Sequence, residues 1–199
     1  MNRILVIASN NRDKAAELAD LLRDLPWRVC GLAEFDELPP EPEETGDTFE
    51  ENALLKADYY FERLGLPCAA DDSGLEVDAL NGEPGVLSAR YAGPGCSYAD
   101  NNDKLLSALR GVPEAERAAR FVCCAAFSGP EEIRHAERGT VEGRIAEACR
   151  GGQGFGYDPL FIPEGHTQTF GEMPPERKHE LSHRGRAFRK LRTFLETLS

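Results

Sequence analysis

The apolar run Ile4–Ala8, followed by polar Ser9, Asn10 and Asn11, predicts a buried strand over Arg3–Ala8 that turns into a helix. Leu18, Leu21, Leu22 and Leu25 fall on one stripe, so the helix is expected from about Asp13 to Leu25, where Pro26 stops it. Trp27–Leu32 reads as the next strand. Further on, Phe49, Ala53, Ala57, Phe61 and Leu64 recur at helical spacing. Thr48 and Glu51 form the capping-box signature at its start, and Gly65 suits its end. Cys68–Asp71 predicts a short buried strand that ends in carboxylates at a turn, and Leu75–Leu80 alternates as a half-buried strand should.

A third helix, capped by Ser97 or Asp100, is expected to reach about Leu109. Arg120–Phe127 and Ile133–Val141 read as paired strands around Ser128, Gly129 and Pro130, and Leu160–Ile162 as another strand. A last helix starts near Ser182, with Ala187, Phe188, Leu191, Phe194, Leu195 and Leu198 on one face. The intervals Pro39–Asp47, Gly82–Gly95 and Gly151–Asp158 are rich in acidic residues, Pro or Gly and read as loops. Helices mixed with strands, through both hairpin and crossover connections, predict an α/β fold around a mixed sheet. The 199 residues suit one domain, or two closely joined lobes sharing a core, with no repeat and no linker.

Composition narrows the class. The longest apolar runs are too short to span a bilayer, and Ile4–Ala8 reads as a strand and not as a signal peptide, so a cytoplasmic protein is expected. The six cysteines form no CxxC pair and are expected as free thiols. A net charge of −12 opposes nonspecific binding to nucleic acid or anionic membrane. The charge is unevenly spread: nine acidic and no basic residues lie between Glu34 and Glu51, whereas seven Lys or Arg face two Glu between Glu176 and Arg192. The basic end suits a small anion, or a solvated helix face.

Five segments carry candidate chemistry. Ser9-Asn-Asn-Arg-Asp-Lys14 lies at a strand-to-helix turn, where free N–H groups and the helix dipole favour phosphate, although no Walker pattern is present. Glu43, Glu44, Thr45 and Gly46 form an acidic block, with Asn52 and Lys56 one helical turn apart behind it. Asp71 and Asp72 are adjacent carboxylates that need a compensating cation or proton, and hard oxygens of this kind suit Mg²⁺. Gly154-Phe-Gly-Tyr-Asp158 offers an aromatic face flanked by glycines, suited to a flat base. Lys178, Ser182, His183 and Arg184 supply donors at a helix start. Each segment alone also has a plain structural reading: a connection, a solvated loop, a core aromatic or a surface cation.

Together the segments SNNRDK, EETGDTFEENALLKA, ADDSGLEVDAL, GEPGVLSARYAG, GFGYDPLF and SHRGRA resemble, in order, the inosine-triphosphate pyrophosphatase (Ham1-like) family. The resemblance runs from Ser9 to Ala187. It implies an elongated mixed sheet with flanking helices, two lobes around a nucleotide cleft, and a homodimer. It implies hydrolysis of ITP, dITP and XTP to monophosphate and pyrophosphate, with Mg²⁺ as cofactor and a small-molecule nucleotide as partner, with no nucleic acid and no membrane. By motif, Ser9, Asn10, Asn11, Arg12, Asp13 and Lys14 bind the triphosphate, with Lys56 and Arg90 as further phosphate contacts. Asp72 binds metal and serves as general base, Glu44 is the second metal carboxylate, and Ser73 touches substrate. Phe155, Gly156, Tyr157, Asp158 and Lys178 surround the nucleoside, while His183 and Arg184 recognise the base. Gln153 interrupts the glycine run before Phe155, which bears on the local loop shape. Two other readings stay open: a catalytically silent nucleotide sensor, which would lack the carboxylates, and a Maf-type pyrophosphatase acting on other nucleotides.

Overall fold

The computed structural model describes residues 3–198. Six strands form one sheet: β1 (Ile4–Ile7), β2 (Arg28–Gly31), β3 (Cys68–Val77), β4 (Ala118–Ser128), β5 (Arg134–Ile145) and β6 (Phe161–Pro163), in the order β2-β1-β3-β4-β5-β6. β1 pairs parallel with β2 and with β3, and β5 pairs antiparallel with β6, so the sheet is mixed as expected. The helices are α1 (Arg12–Leu22), α2 (Phe49–Leu64), α3 (Tyr98–Ala108), α4 (Pro175–Leu181) and α5 (His183–Thr197).

Local chemistry accounts for the helix starts. Asn11 caps α1, accepting from the N–H groups of Asp13 and Lys14. Thr48 and Glu51 close the expected capping box on α2, which ends at Gly65 in the left-handed conformation at φ 65°. Ser97 and Asp100 form a second box on α3. Five expectations need correction. The strand expected over Leu75–Leu80 ends at Val77, and Asp78–Leu80 is a 3-10 turn. α1 stops at Leu22, before Leu25, because Arg23 and Leu25 make single-turn bonds to Asp20 and Leu22 ahead of Pro26. Asp71-Asp72-Ser73-Gly74 is no turn: β3 runs unbroken through it, buried on both faces from Cys68 to Asp72 and buried again at Leu75 and Val77. β5 extends to Ile145, beyond Val141. A separate helix, α4, precedes α5; Pro175 at its first position supplied a start signal.

The described residues divide into two compact units: 3–72, 123–139 and 184–198, and 73–122 and 140–183. In the first, Leu5, Ile7, Leu18, Leu22, Phe127, Phe188 and Leu191 form the core. In the second, Leu75, Leu105, Leu109, Phe121, Phe161 and Phe170 do so. β3 passes from the first unit to the second between Asp72 and Ser73, and α5 passes back between His183 and Arg184. No helix among the described residues is long and apolar enough to cross a membrane. All six cysteines are free.

Candidate active site

In the first unit the site is built on the two faces of β3. Successive strand residues point to opposite faces, and the adjacent buried carboxylates have separate partners. Asp71 lies 3.5 Å from Lys14 Nζ on α1 and 3.4 Å from Arg184 Nε on α5. Arg184 Nη1 in turn lies 3.2 Å from Glu17, one turn after Lys14. Two carboxylates therefore balance two cations in a network, buried except at half-buried Lys14, that holds the Lys14 ammonium at the start of α1.

Asp72 meets a different set. Its Oδ2 accepts from Asn52 Nδ2 at 3.2 Å, and Lys56 Nζ stands 3.6 Å from Oδ1. The same ammonium is 2.6 Å from Glu44 Oε1. Asn52 also accepts from the Gly46 N–H at 2.7 Å, so one amide ties the acidic loop to the Asp72 carboxylate. Asn52 and Lys56 sit four residues apart on one face of α2, as their spacing predicts. Burial pushes the Asp72 carboxyl above its ordinary range, Glu44 and Asp71 add to the rise, and Lys56 and Lys14 oppose it. At Lys56, burial disfavours the ammonium, but Asp72, Asp71 and Glu44 outweigh it and hold its pKa above the ordinary value.

The remaining phosphate-loop residues are placed as follows. Ser9 is half-buried, and Asn10 donates to the Tyr60 hydroxyl at 3.3 Å. Asn11 is engaged as the cap of α1, and Arg12 and Asp13 are exposed beside it.

In the second unit the Phe155–Asp158 loop is held from several sides. One Asp158 oxygen, Oδ2, accepts both from the Phe155 N–H and from Lys178 Nζ, each at 2.8 Å. Lys178 Nζ also lies 4.8 Å from the centre of the Phe155 ring, a cation–π contact. Gly154 has φ 73°, and a Cβ there would stand 2.1 Å from Asp158 Oδ2, so only glycine lets the carboxylate close the loop. Tyr157 donates to the Ser88 carbonyl at 2.9 Å, and Asn102 donates to the Gly156 carbonyl at 3.1 Å. The buried His183 ring stacks on Phe121, centroids 4.6 Å apart and planes 8° from parallel. Ser73 is half-buried at the start of this unit's part of β3, and Arg90 is exposed at the end of the 3-10 turn Gly85–Arg90.

The structure therefore brings Glu44, Lys56 and Asp72 together, Lys14 and Arg184 together, and Phe155, Asp158 and Lys178 together. The sequence reading missed Glu17 and Asn102. Glu17 follows Lys14 by three residues on α1, so helical spacing alone could have placed it on the same face. Asn102 carries no such signal, because its partner lies 54 residues away.

The donor set fits a hard divalent cation. Glu44 from a loop and Asp72 from a strand converge on a single positive charge, the Lys56 ammonium. Mg²⁺ commonly takes one or two carboxylates, with water and substrate phosphate completing its shell. Among the described residues no group of three or more His, Cys, Asp or Glu is placed to hold a metal ion.

The sequence profile of the Ham1 family matches residues 5–194, and the chain belongs to that family. It is 48% identical over 191 residues to the dITP/XTP pyrophosphatase of Geobacter sulfurreducens, covering 96% of each chain. Among solved structures it resembles the Ham1 protein of Coxiella burnetii at a TM-score of 0.88 and 42% identity, covering 99% of this chain and all of that one. The Ham1 protein of Staphylococcus aureus is similar at a TM-score of 0.86 and 43% identity, again over 99% of this chain and all of that one.

Proposed function

We propose that this chain is a Mg²⁺-dependent pyrophosphatase that hydrolyses ITP, dITP and XTP to the monophosphate and pyrophosphate, clearing non-standard purines from the nucleotide pool. The convergence of Glu44 and Asp72 on one cationic position, beside the Lys14 ammonium of the same unit, carries this reading. Relatives that are 47–48% identical over nearly their whole length and bear the name dITP/XTP pyrophosphatase support it.

Glu44 and Asp72 would hold the metal, which when bound neutralises phosphate charge and polarises the bond to be cut. Asp72 takes a proton from the attacking water as the new P–O bond forms, and the α–β bridging bond breaks to release pyrophosphate. Lys14 and Lys56 meet the phosphate charge, and Asp71 and Glu17 keep Lys14 and Arg184 in place. Phosphoryl chemistry rests on such positioning and charge neutralisation, so no nucleophilic side chain is required.

In the nucleoside part, Phe155 is the flat surface for the base, steadied by Lys178 and Asp158. Hypoxanthine and xanthine carry an acceptor oxygen at C6, where adenine carries a donor amino group. The donor-rich set Lys178, His183 and Arg184 suits the former, with Glu17 and Asp71 setting the plane of the Arg184 guanidinium. Guanine differs at C2, where its amino group would face a donor. Sites that hydrogen-bond a substrate in this way discriminate by up to about 10⁴–10⁵-fold. Action in the cytoplasm as a homodimer belongs to the same proposal. The test is a competition: equal ITP, dITP, XTP, GTP and ATP with Mg²⁺ in one tube, followed over time. ITP, dITP and XTP should disappear first, and equal loss of ATP or GTP would contradict the base assignment.

A further inference from the structure

α3 carries none of the site residues expected from sequence, yet its first two turns hold both neighbouring segments of the second unit. Asn101 Oδ1 accepts from the Ala92 N–H at 2.7 Å, and its Nδ2 donates to the Ala89 carbonyl at 3.2 Å. Lys104 donates to the Tyr91 carbonyl and lies 4.1 Å from the centre of the Tyr91 ring. These bonds fasten α3 to the segment around Arg90. The next residue, Asn102, reaches the other way. Its Nδ2 donates to the carbonyl of Gly156, in the middle of the proposed base loop. Tyr98, one turn earlier on α3, places its ring 6.0 Å from that of Phe155.

Asn102 is 6% exposed, and its Oδ1 is buried with no hydrogen-bond partner. The Gly156 carbonyl can only accept, which fixes the amide orientation: Nδ2 must face it and Oδ1 must face away. A buried amide with one end unsatisfied is unfavourable for the fold, so stability alone does not explain its presence. Arg117 pins the far end of the helix, donating to the Leu109, Val112 and Ala146 carbonyls. α3 is therefore a fixed strut, and Asn102 is its contact with the loop.

We propose that Asn102 is a positioning residue for nucleoside recognition, holding the Gly156 carbonyl so that Phe155 keeps the attitude the base requires. The inference rests on the proposed pyrophosphatase reading. The Asn102 hydrogen bond goes to the base loop and not to a phosphate-binding residue, so its loss acts on base affinity and base choice.

The experiment compares the full-length protein with Asn102→Ala and with Asn102→Asp, which keeps the shape but as a carboxylate cannot donate to the Gly156 carbonyl. Melting curves establish that each variant is folded. Steady-state hydrolysis of ITP and GTP is then measured, along with inhibition by inorganic tripolyphosphate, a probe of the phosphate site alone. Loss of one such hydrogen bond corresponds to about a 5-fold change. The expected result is a KM for ITP raised about 5-fold or more, kcat changed less than about 3-fold, a reduced ITP-to-GTP preference and unchanged inhibition by tripolyphosphate. An unchanged KM and preference would overturn the proposal. So would a fall in kcat alone, or two variants that fail to fold, either of which marks a purely structural role. Absence of ITP hydrolysis by the unaltered protein would instead refute the reading on which the proposal rests.

Discussion

Asp71 and Asp72 are neighbours in sequence but serve opposite faces of β3: Asp71 neutralises Lys14 and Arg184, whereas Asp72 faces Asn52 and Lys56. The pleat gives each carboxylate its own nearest cation, although the two still feel one another's charge. The pair should therefore respond differently to the same substitution. Asp71→Asn removes the carboxylate shared by half-buried Lys14 and buried Arg184, and a loss of about 3 kcal/mol is expected, read by urea unfolding. Asp72→Asn keeps its bond from Asn52 and relieves a disfavoured buried charge, so stability should hold. Turnover should fall about 10²–10⁴-fold with loss of the base, and further if metal placement fails. Equal effects of the two variants on stability and turnover would contradict this division.

The raised carboxyl of Asp72 gives a pH test. Its pKa lies above the ordinary value of 3.8 in the folded protein, chiefly through burial. The folded state therefore binds that proton more tightly than the unfolded chain does. In metal-free protein this group's contribution to stability falls as pH climbs from the ordinary value through the raised one. A divalent cation binds the charged carboxylate, so stabilisation by Mg²⁺ should grow over the same interval. The rise in melting temperature on adding Mg²⁺ should be larger at about pH 8 than at about pH 5. A rise independent of pH would argue that Asp72 is no ligand. Turnover should disappear in excess chelator.

Gly154 supplies a third prediction. Its left-handed φ and the close approach of Asp158 leave no room for a methyl group. Gly154→Ala should displace Asp158 from the Phe155 N–H and Lys178. The expected readout is a raised KM for ITP, with the phosphate site still inhibited by tripolyphosphate. A KM unchanged from the parent would show that the loop tolerates the shift.

The sequence was most legible where the relevant chemistry is local. Thr48 with Glu51 and Ser97 with Asp100 announce their helices within four residues, and Asn52 and Lys56 share a face through helical spacing alone. β3 was harder, because an Asp-Asp-Ser-Gly run has the composition of a turn. Only the burial of Ala69, Ala70, Leu75 and Val77 on both sides shows that the strand continues. The end of α1 was overrun because Leu25 continues the apolar stripe: it is buried in the core, although it lies outside the helix. Contacts across long sequence separations, such as Arg184 to Glu17 and Asn102 to Gly156, have no periodic signature and emerge only in the folded chain.

The proposed reaction is cleavage between the α- and β-phosphates of a non-standard purine nucleotide. Chromatography of the first products formed from ITP and Mg²⁺ tests it most directly. IMP and pyrophosphate are expected in equal amounts from the earliest time point, with no IDP. Appearance of IDP and orthophosphate as first products would contradict it.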